Sequence, residues 1–291
     1  MTGIIWPDTV VHAATHNSLV LFVGAGVSAS CSNDLGNFPP NWTELLRTLS
    51  QKVSLEIDEK QELVDLINSG HLLDAAELLS FKSTDAGYPA DFTKVLTDAI
   101  SGPKAHRFQP SDWHIAIGNI NPPIIVTTNY DKIIEQADGL DYATATYDSH
   151  DIDSLIRSGT PTLIKLHGTV DAPSSIILSR SDYARLHRDG TLALDVVRAL
   201  MLTHTFLFVG YSLSDPDIRA LLQDVFAARS HRNTCPHYWF TSDSLSAYNR
   251  KAHLHCYGIQ AVTYPSSDVG YGLRAFQDLA RQVGAAPFAG F

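Results

Sequence analysis

Short apolar runs that alternate with stretches of helical spacing constrain this chain more than any other feature. The runs have the length of strands, and the first of them, Ser-Leu-Val-Leu-Phe-Val-Gly, is typical of a strand buried on both faces of a parallel sheet. Stretches such as 217–228 and 273–283 have helical spacing, and this alternation predicts a doubly wound, Rossmann-like α/β fold with a parallel sheet. The runs are 18–24, 123–127, 161–166, 175–178, 205–210, 237–241 and 258–263.

One region breaks the alternation. From Trp42 to about Gly118 the apolar residues recur at helical spacing, and no strand-like run interrupts them. We therefore predict an all-helical insertion over about 42–118, between the first and second strands. No repeat or linker marks a second domain, so we expect residues 1–291 to form one domain.

The charge balance disfavours one class of partner. The chain carries 21 Lys and Arg against 31 Asp and Glu, a net charge of −10 at pH 7. Sequence-independent binding of nucleic acid needs clustered cations, so we expect no direct contact with nucleic acid. No apolar run approaches the roughly 20 residues of a membrane-spanning helix, and no signal peptide is recognisable. We expect a cytoplasmic protein without membrane contact.

The cysteines are few and scattered. Cys31, Cys235 and Cys256 form no Cys-x-x-Cys pair, and three thiols cannot supply a four-thiolate zinc site. A sparse, odd number of cysteines is typical of a reducing cytosol. We therefore expect no zinc module.

A glycine-rich turn, Gly24-Ala25-Gly26-Val27-Ser28, follows the first run directly. Glycines let the backbone approach a ligand closely, and a helix beginning at about Val27 would direct free N–H groups at a pyrophosphate. Such turns also arise from packing alone. A dinucleotide-binding dehydrogenase would carry an acidic residue at the end of a second strand about 20 residues on. Residues 38–42 read Phe-Pro-Pro-Asn-Trp instead, which disfavours that class.

Polar residues also follow the later runs. Thr128, Asn129 and Asp131 come after the second run, where open α/β sheets bind ligands, although helix capping would account for one of them.

His167 ends another apolar run, before a glycine that opens space beside it, and histidine titrates near neutrality and can act as a base. A fourth cluster comprises Gly210, Ser212, Asp215 and Asp217. For its two aspartates, helix capping and ligand contact remain equally open.

Taken in order, these four clusters resemble the nucleotide-binding signatures of the sirtuins. They are more similar to those of the bacterial sirtuin-like NAD hydrolases that act as anti-phage defence effectors. The matching motifs lie within residues 18–230, which is most of the chain. They are Gly24-Ala-Gly26-Val-Ser28, Thr127-Thr-Asn129-Tyr-Asp131, Lys165-Leu-His167-Gly168 and Gly210-Tyr-Ser212-Leu.

The resemblance implies an enzyme that cleaves the nicotinamide–ribose bond of NAD and releases nicotinamide and ADP-ribose, with NAD as substrate and no metal. Asn129 and Asp131 would hold the nicotinamide ribose and the attacking water. His167 would hydrogen-bond a ribose hydroxyl or activate the nucleophile. The NAD-binding residues implied are Gly24, Ala25, Gly26 and Ser28 at the pyrophosphate, Thr128, and Gly210 and Ser212 beside the adenosine half.

Two departures from the protein-deacetylating sirtuins matter. Their Gly-Pro-Asp-Phe-Arg stretch is replaced by the residues of 36–44, and the three scattered cysteines cannot form their zinc module. A second hypothesis is a catalytically silent sensor that binds NAD or an ADP-ribose derivative. Because of these departures, protein deacylation is only a third hypothesis.

A free NAD hydrolase would deplete the NAD of its own cell, so we expect gated activity. Only residues 284–291 follow the last predicted helix, which suggests control by homo-oligomerisation or by a separately encoded regulator. An ATPase or a nucleic-acid-guided protein would suit that role. Trp6 and Phe288 or Phe291 are candidates for such an interface, although terminal aromatic residues more often pack on their own fold.

Overall fold

A seven-stranded parallel sheet forms the centre of the fold in the computed structural model, which describes residues 4–85, 89–228 and 237–285. The strands are β1 (Leu19–Val23), β2 (Ile124–Thr127), β3 (Ala143–Thr146), β4 (Thr162–Lys165), β5 (Thr205–Val209), β6 (His237–Ser242) and β7 (Ile259–Tyr264). Their order is β3-β4-β2-β1-β5-β6-β7, and every pairing is parallel. The predicted doubly wound fold is confirmed.

Helices cover both faces of this sheet. Those predicted over 217–228 and 273–283 are present as α11 and α13, each slightly longer than predicted. The helices are α1 (Asp8–Thr15), α2 (Ala25–Ser28), α3 (Trp42–Ser50), α4 (Ile57–Asn68), α5 (Leu72–Asp85), α6 (Pro89–Ser101), α7 (Asp112–Ile120), α8 (Ile152–Arg157), α9 (Arg180–Asp189), α10 (Thr191–Thr203), α11 (Pro216–Ala228), α12 (Ala247–Tyr257) and α13 (Tyr271–Ala285).

Strand β1 shows why the first apolar run has no polar alternation. Its Val20 and Phe22 side chains join the core beneath α9, α10 and α11. Its Leu19, Leu21 and Val23 side chains join the opposite core, beneath α1, α7 and α13. Because successive side chains of a strand point to opposite faces, a strand covered on both sides must be apolar throughout.

Helices α3 to α6 form a lobe with its own hydrophobic core. Leu46, Leu49, Ala76 and Leu79 are completely buried in it. Helix α7, which also lies within the region predicted to be helical, packs instead on the sheet against α13. The lobe comprises the described residues of 42–85 and 89–101 and stands beside the carboxyl ends of the strands.

Two elements differ from the sequence prediction. The run 175–178 is no strand: Pro173–Ser175 form a 3₁₀ turn, and Ile176 and Leu178 pack into the core of the lobe. Burial against two different cores makes this segment apolar without any β-pairing. Conversely, β3 was not predicted, because an edge strand reading Ala-Thr-Ala-Thr has little apolar character.

The helix predicted to begin at about Val27 begins at Ala25 and ends at Ser28, so α2 is a single turn. The chain then continues as a loop to Asn41, the N-cap of α3. One short turn contributes much less of a helix dipole than the prediction assumed.

Trp6 is not an exposed interface residue. It is only 3% exposed, its Nε1 donates to the carbonyl oxygen of Ala275 (3.1 Å), and its ring packs against Phe240 and Phe276. The alternative that this aromatic residue packs on its own fold is therefore the correct one. Phe288 and Phe291 lie outside the described residues.

The described ranges contain neither a membrane-spanning helix nor a group of metal ligands. None of their helices combines the length and the apolar character that crossing a bilayer requires. Within the same ranges, no three His, Cys, Asp or Glu side chains are grouped as metal ligands would be.

Candidate active site

The carboxyl ends of β1, β2, β4 and β5 open into a cavity of about 510 Å³. It lies where the chain, having formed β2, β3 and β4 on one side of β1, crosses to β5 on the other side. Open α/β sheets bind their ligands at such a switch point. All of the predicted site residues except Gly24 line this cavity, namely Ala25, Gly26, Ser28, Thr128, Asn129, Asp131, His167, Gly210 and Ser212.

The glycines hold two loops in contact. A Cβ on Gly24 would lie 2.5 Å from the carbonyl oxygen of Gly210, and the N–H of Gly26 donates to that same oxygen (2.8 Å). Gly210 has a positive φ of 61°, and a Cβ there would lie 2.5 Å from the backbone nitrogen of Val27. The packing interpretation thus accounts for Gly24. The N–H of Gly26 is engaged within the protein instead of being free for a pyrophosphate.

Ser28 connects Asn129 to Asp131. The Asn129 Nδ2 donates to Ser28 Oγ (3.0 Å), and that hydroxyl donates to Asp131 Oδ2 (2.8 Å). The three side chains are nearly buried, with exposed fractions of 4% to 7%. Hydrogen bonds of this kind fix side chains in one orientation and supply the partners that buried polar groups require.

The segment after β2 is not a helix N-terminus. The Asp131 Oδ1 accepts from the N–H of Ile133 (3.0 Å), and Thr127 Oγ1 accepts from the N–H of Asn129 (3.0 Å). The next helix of the described chain after β2 is α8. Helix capping, the alternative for this cluster, therefore does not explain Asn129 or Asp131.

His167 lies at the end of β4 and is 4% exposed. Its Nε2 is 3.5 Å from Asp215 Oδ2, and its ring packs edge-on against Tyr183 with the centroids 5.3 Å apart. Burial lowers the pKa of His167 below its ordinary value, and the nearby Asp215 and Asp217 carboxylates oppose that effect only in part. The imidazole is therefore neutral near pH 7 and can accept a proton.

The two aspartates of the fourth cluster have different surroundings. Asp215 lines the cavity and also caps α11, because its Oδ1 accepts from the N–H groups of Asp217 (3.0 Å) and Ile218 (3.1 Å). Asp217 pairs with His187 (3.0 Å) and is not among the residues that line the cavity. Capping and cavity contact thus apply together to Asp215.

Lys165 is a site residue whose role the motif did not disclose. It is 1% exposed, its amino group donates to the backbone carbonyl of Asp131, and it lies 3.0 Å from Glu135 Oε1. It therefore fastens the segment that carries Asn129 and Asp131 to β4, which carries His167. A lysine inside an apolar strand run was the only signal for it in the sequence.

The lobe supplies an apolar wall that sequence reasoning missed. The opposite side of the cavity is also more aromatic than the motifs suggested, with Tyr130, Tyr183 and Tyr211. Only the folded arrangement brings these distant segments together. The wall residues of the lobe are Trp42, Leu45, Leu72 and Ile100, and Pro39 and Pro40 of the preceding loop extend the wall.

A second cavity of about 510 Å³ adjoins the first. The two share Gly210, Tyr211 and Ser212, and the second continues past the carboxyl end of β6 to Trp239 and Asn249. The two cavities lie side by side along the carboxyl edge of the sheet, from β4 to β6.

Part of the chain matches a known domain family, and most of the chain is similar to several known proteins. Residues 123–262 match the SIR2-like domain. The NAD(+) hydrolase ThsA of Acinetobacter baumannii (strain 532279) is 25% identical over 226 residues, which cover 75% of this chain and 41% of that protein. ThsA of Enterococcus faecium is 25% identical over 230 residues, covering 78% of this chain and 43% of its own length.

A third relative is the defense-associated sirtuin 2 of Bacillus subtilis, which is 25% identical over 216 residues. That match covers 73% of this chain and 20% of the relative. This chain therefore spans about two fifths of the length of the two ThsA relatives and about one fifth of the length of the third. Residues 123–262 are thus similar to the SIR2-like domain, and most of the chain is similar to proteins named NAD(+) hydrolase and defense-associated sirtuin.

Proposed function

We propose that this protein hydrolyses the nicotinamide–ribose bond of NAD, giving nicotinamide and ADP-ribose, as an effector of anti-phage defence. One observation carries the proposal: Ser28, Asn129, Asp131 and His167 line a single cavity at the switch point of the sheet. The similarity to proteins named NAD(+) hydrolase supports the same reaction.

The chemistry needs little acid catalysis. Nicotinamide is a pyridinium cation while it is bound to ribose, and it leaves as a neutral molecule with the electron pair of the broken C1′–N bond. A water oxygen forms the new bond to C1′ and gives up one proton. The site must therefore stabilise an oxocarbenium-like ribose, orient it, and accept that proton.

The cavity offers a group for each task. The Asp131 carboxylate lines the cavity, and its negative charge would favour a cationic ribose bound there. Because Asn129 Nδ2 is engaged by Ser28, the amide oxygen is the atom that Asn129 presents to a ribose hydroxyl or to the water. His167, neutral because burial lowers its pKa, accepts the proton.

Two features support an elongated dinucleotide in the paired cavities. The apolar wall with Trp42 and Leu45 suits the flat nicotinamide ring, and the second cavity beyond Ser212 suits the adenosine half. Within the described chain, Trp42 Nε1 and Tyr211 Oη are buried polar atoms of cavity-lining residues that have no hydrogen-bond partner. Buried polar atoms of this kind are accounted for when a ligand completes the site.

We also propose that homo-oligomerisation or a separately encoded regulator gates the activity. The reason is physiological: an ungated enzyme would deplete its own cell of NAD. A native mass measurement, with and without NAD, tests for the oligomer. A strictly monomeric protein with full constitutive activity would contradict gating.

The test of the activity is the release of nicotinamide and ADP-ribose from NAD, followed by chromatography, in cells that express the protein and with the purified protein. Asn129→Ala and His167→Ala should each lower the rate by ~10²–10⁴-fold, as expected for residues that orient or activate a nucleophile. Asn68→Ala and His150→Ala, at exposed positions outside the cavity, are matched controls and should keep the wild-type rate.

Other outcomes point to other functions. NAD binding in calorimetry without nicotinamide release in any assembly state would favour a silent sensor. NAD consumption that depends on an acylated peptide would favour a deacylase. A change of less than about tenfold in both Asn129→Ala and His167→Ala would contradict the assignment of these residues.

A further inference from the structure

We propose that Asp215 is a positioning residue for His167: it holds the proton of the neutral imidazole on Nε2, leaves Nδ1 as the basic nitrogen, and stabilises the imidazolium after proton transfer. The inference rests on the proposed function for its catalytic consequence. Its structural part, the state of His167, can be measured without any turnover.

The two carboxylate oxygens of Asp215 have different partners. Oδ1 accepts from two backbone N–H groups at the start of α11, which fixes the plane of the carboxylate. Oδ2 accepts from the hydroxyl of Tyr183 (2.6 Å) and lies 3.5 Å from His167 Nε2. Because both of its oxygens are held, the Asp215 carboxylate keeps one orientation relative to the His167 ring that faces it.

The tautomer follows from this geometry. A neutral imidazole carries one N–H, and the carboxylate opposite Nε2 can only accept, so the proton is favoured at Nε2. At 3.5 Å the pair is longer than a normal hydrogen bond, and catalytic hydrogen bonds of this kind commonly tighten when substrate binds. Nδ1 is then the nitrogen that takes the proton released by water.

His167 faces groups from three segments. Tyr183 comes from α9, the Tyr130 ring from the segment after β2 lies 6.5 Å away, and Asp215 and Asp217 come from the start of α11. The charged members of this set are both carboxylates. Both raise the pKa of His167, the effect of Asp215 being the larger, against the dominant lowering by burial.

Tyr183 provides a second test of the inference, because its hydroxyl competes with His167 Nε2 for the same oxygen, Asp215 Oδ2. While Tyr183 donates to Asp215 Oδ2, part of the negative charge at that oxygen is compensated. Removing the hydroxyl exposes His167 to more of this charge. Removing the charge of Asp215 has the opposite effect, so the two variants should move the titration of His167 in opposite directions.

The first experiment is a ¹⁵N NMR titration of the full-length protein with labelled histidine, in which His167→Gln identifies the resonances of His167. Wild type should show protonated Nε2 in the neutral form. Asp215→Asn should switch the neutral ring to the Nδ1–H form, because the amide can donate to Nε2. It should also lower the midpoint by about one pH unit, whereas Tyr183→Phe should raise it.

The second experiment is the pH profile of NAD hydrolysis. Activity requires neutral His167, so the acid limb of kcat/KM should move to higher pH in Tyr183→Phe. In Asp215→Asn kcat should fall by ~10²-fold, the lower end of the range for a general base, with a smaller effect on KM. Asparagine is as good an N-cap as aspartate, so α11 stays capped and a loss of fold would not explain the result.

Asp217→Asn is the matched control, since it removes the second, less influential carboxylate from the same turn. Its His167 midpoint should move less than that of Asp215→Asn. An unchanged tautomer and midpoint in Asp215→Asn would overturn the inference, whatever the enzyme assays show. A wild-type protein with the expected tautomer but without NAD hydrolysis would instead contradict the proposed function and leave the role of Asp215 in orienting His167 standing.

Discussion

Lys165 illustrates how single residues hold the candidate site together. Its side chain is buried in β4, and its amino group reaches the backbone of the segment after β2 and the carboxylate of Glu135. A charge in such a position is tolerated only when paired and hydrogen-bonded. The polar residues of the motif Lys-Leu-His-Gly therefore divide their roles: His167 faces the cavity, and Lys165 fixes the neighbouring strand end.

We predict that Lys165→Met lowers the free energy of unfolding by about 3 kcal/mol, because it leaves the half-buried Glu135 carboxylate without its partner. Denaturant unfolding measures this change. Lys132→Met is the matched control: Lys132 pairs with Asp171 on the surface, and its loss should cost less than about 1 kcal/mol. Equal costs for the two variants would contradict the structural role of Lys165, whereas recovery in the double variant with Glu135→Leu would support it.

At the scale of elements, apolar runs predicted six of the seven strands because most of these strands lie between two helical layers. Apolar runs failed to predict strands where burial on both sides and strand structure did not coincide. The run 175–178 is buried between two cores without being a strand, and β3 is a strand with little burial. The polar residues at the strand ends were predictable, since parallel strands bring their carboxyl ends to one edge.

We predict that Gly210→Ala disrupts the contact between the loops after β1 and β5. Its Cβ would meet the backbone nitrogen of Val27, which cannot move away as a flexible side chain can. NAD binding by calorimetry should be lost or weakened at least tenfold, which corresponds to about 1.4 kcal/mol. The free energy of unfolding should fall as well.

Gly70→Ala is the control for this prediction. Gly70 also has a positive φ, of 80°, but nothing lies within 4 Å of the position of its Cβ. It should therefore show only the backbone cost of about 1–2 kcal/mol for a left-handed alanine, with NAD binding intact. If the two variants bind NAD equally well, the contact between the loops is not needed for the site.

At the scale of the whole molecule, the order of the strands explains where the site is, and the lobe explains what it is lined with. The location of the site could be predicted once β1 was recognised as the start of a doubly wound sheet. The lining of the site could not be predicted, because Trp42, Leu72 and Ile100 reach the cavity only through the packing of helices against one another. No local pattern distinguishes these residues from others that serve the core of the lobe alone.

We predict that stability falls as the pH is lowered from 7.5 to 5.5. Burial lowers the pKa of His114, His167 and His204 in the folded protein, so the unfolded chain, with histidine pKa values near 6.5, binds more protons in this range. Stability therefore rises with pH here and is lost as the pH falls below about 6.5. Asp217, whose pKa burial raises, acts in the opposite sense.

The free energy of unfolding measured in urea at several pH values tests this prediction. Carboxylates whose pKa is lowered by partners, such as Asp74 beside Arg180, lose their contribution only in more acidic solution. Above pH 5.5 the dependence is thus set by the histidines, with Asp217 opposing them. His114→Gln should flatten the dependence in part, and a stability that is constant from pH 7.5 to 5.5 would contradict the prediction.

The position of β1 in the middle of the sheet has a consequence for synthesis on the ribosome. β1 is made before both of its partners, residues 124–127 and 205–209, the latter more than 180 positions later. The walls of the cavity are therefore contributed by residues from Ala25 to Asp215. A nascent chain that has not yet produced β5 and the residues up to Asp215 has no closed cavity, so the proposed reaction with NAD could begin only after that segment has been made.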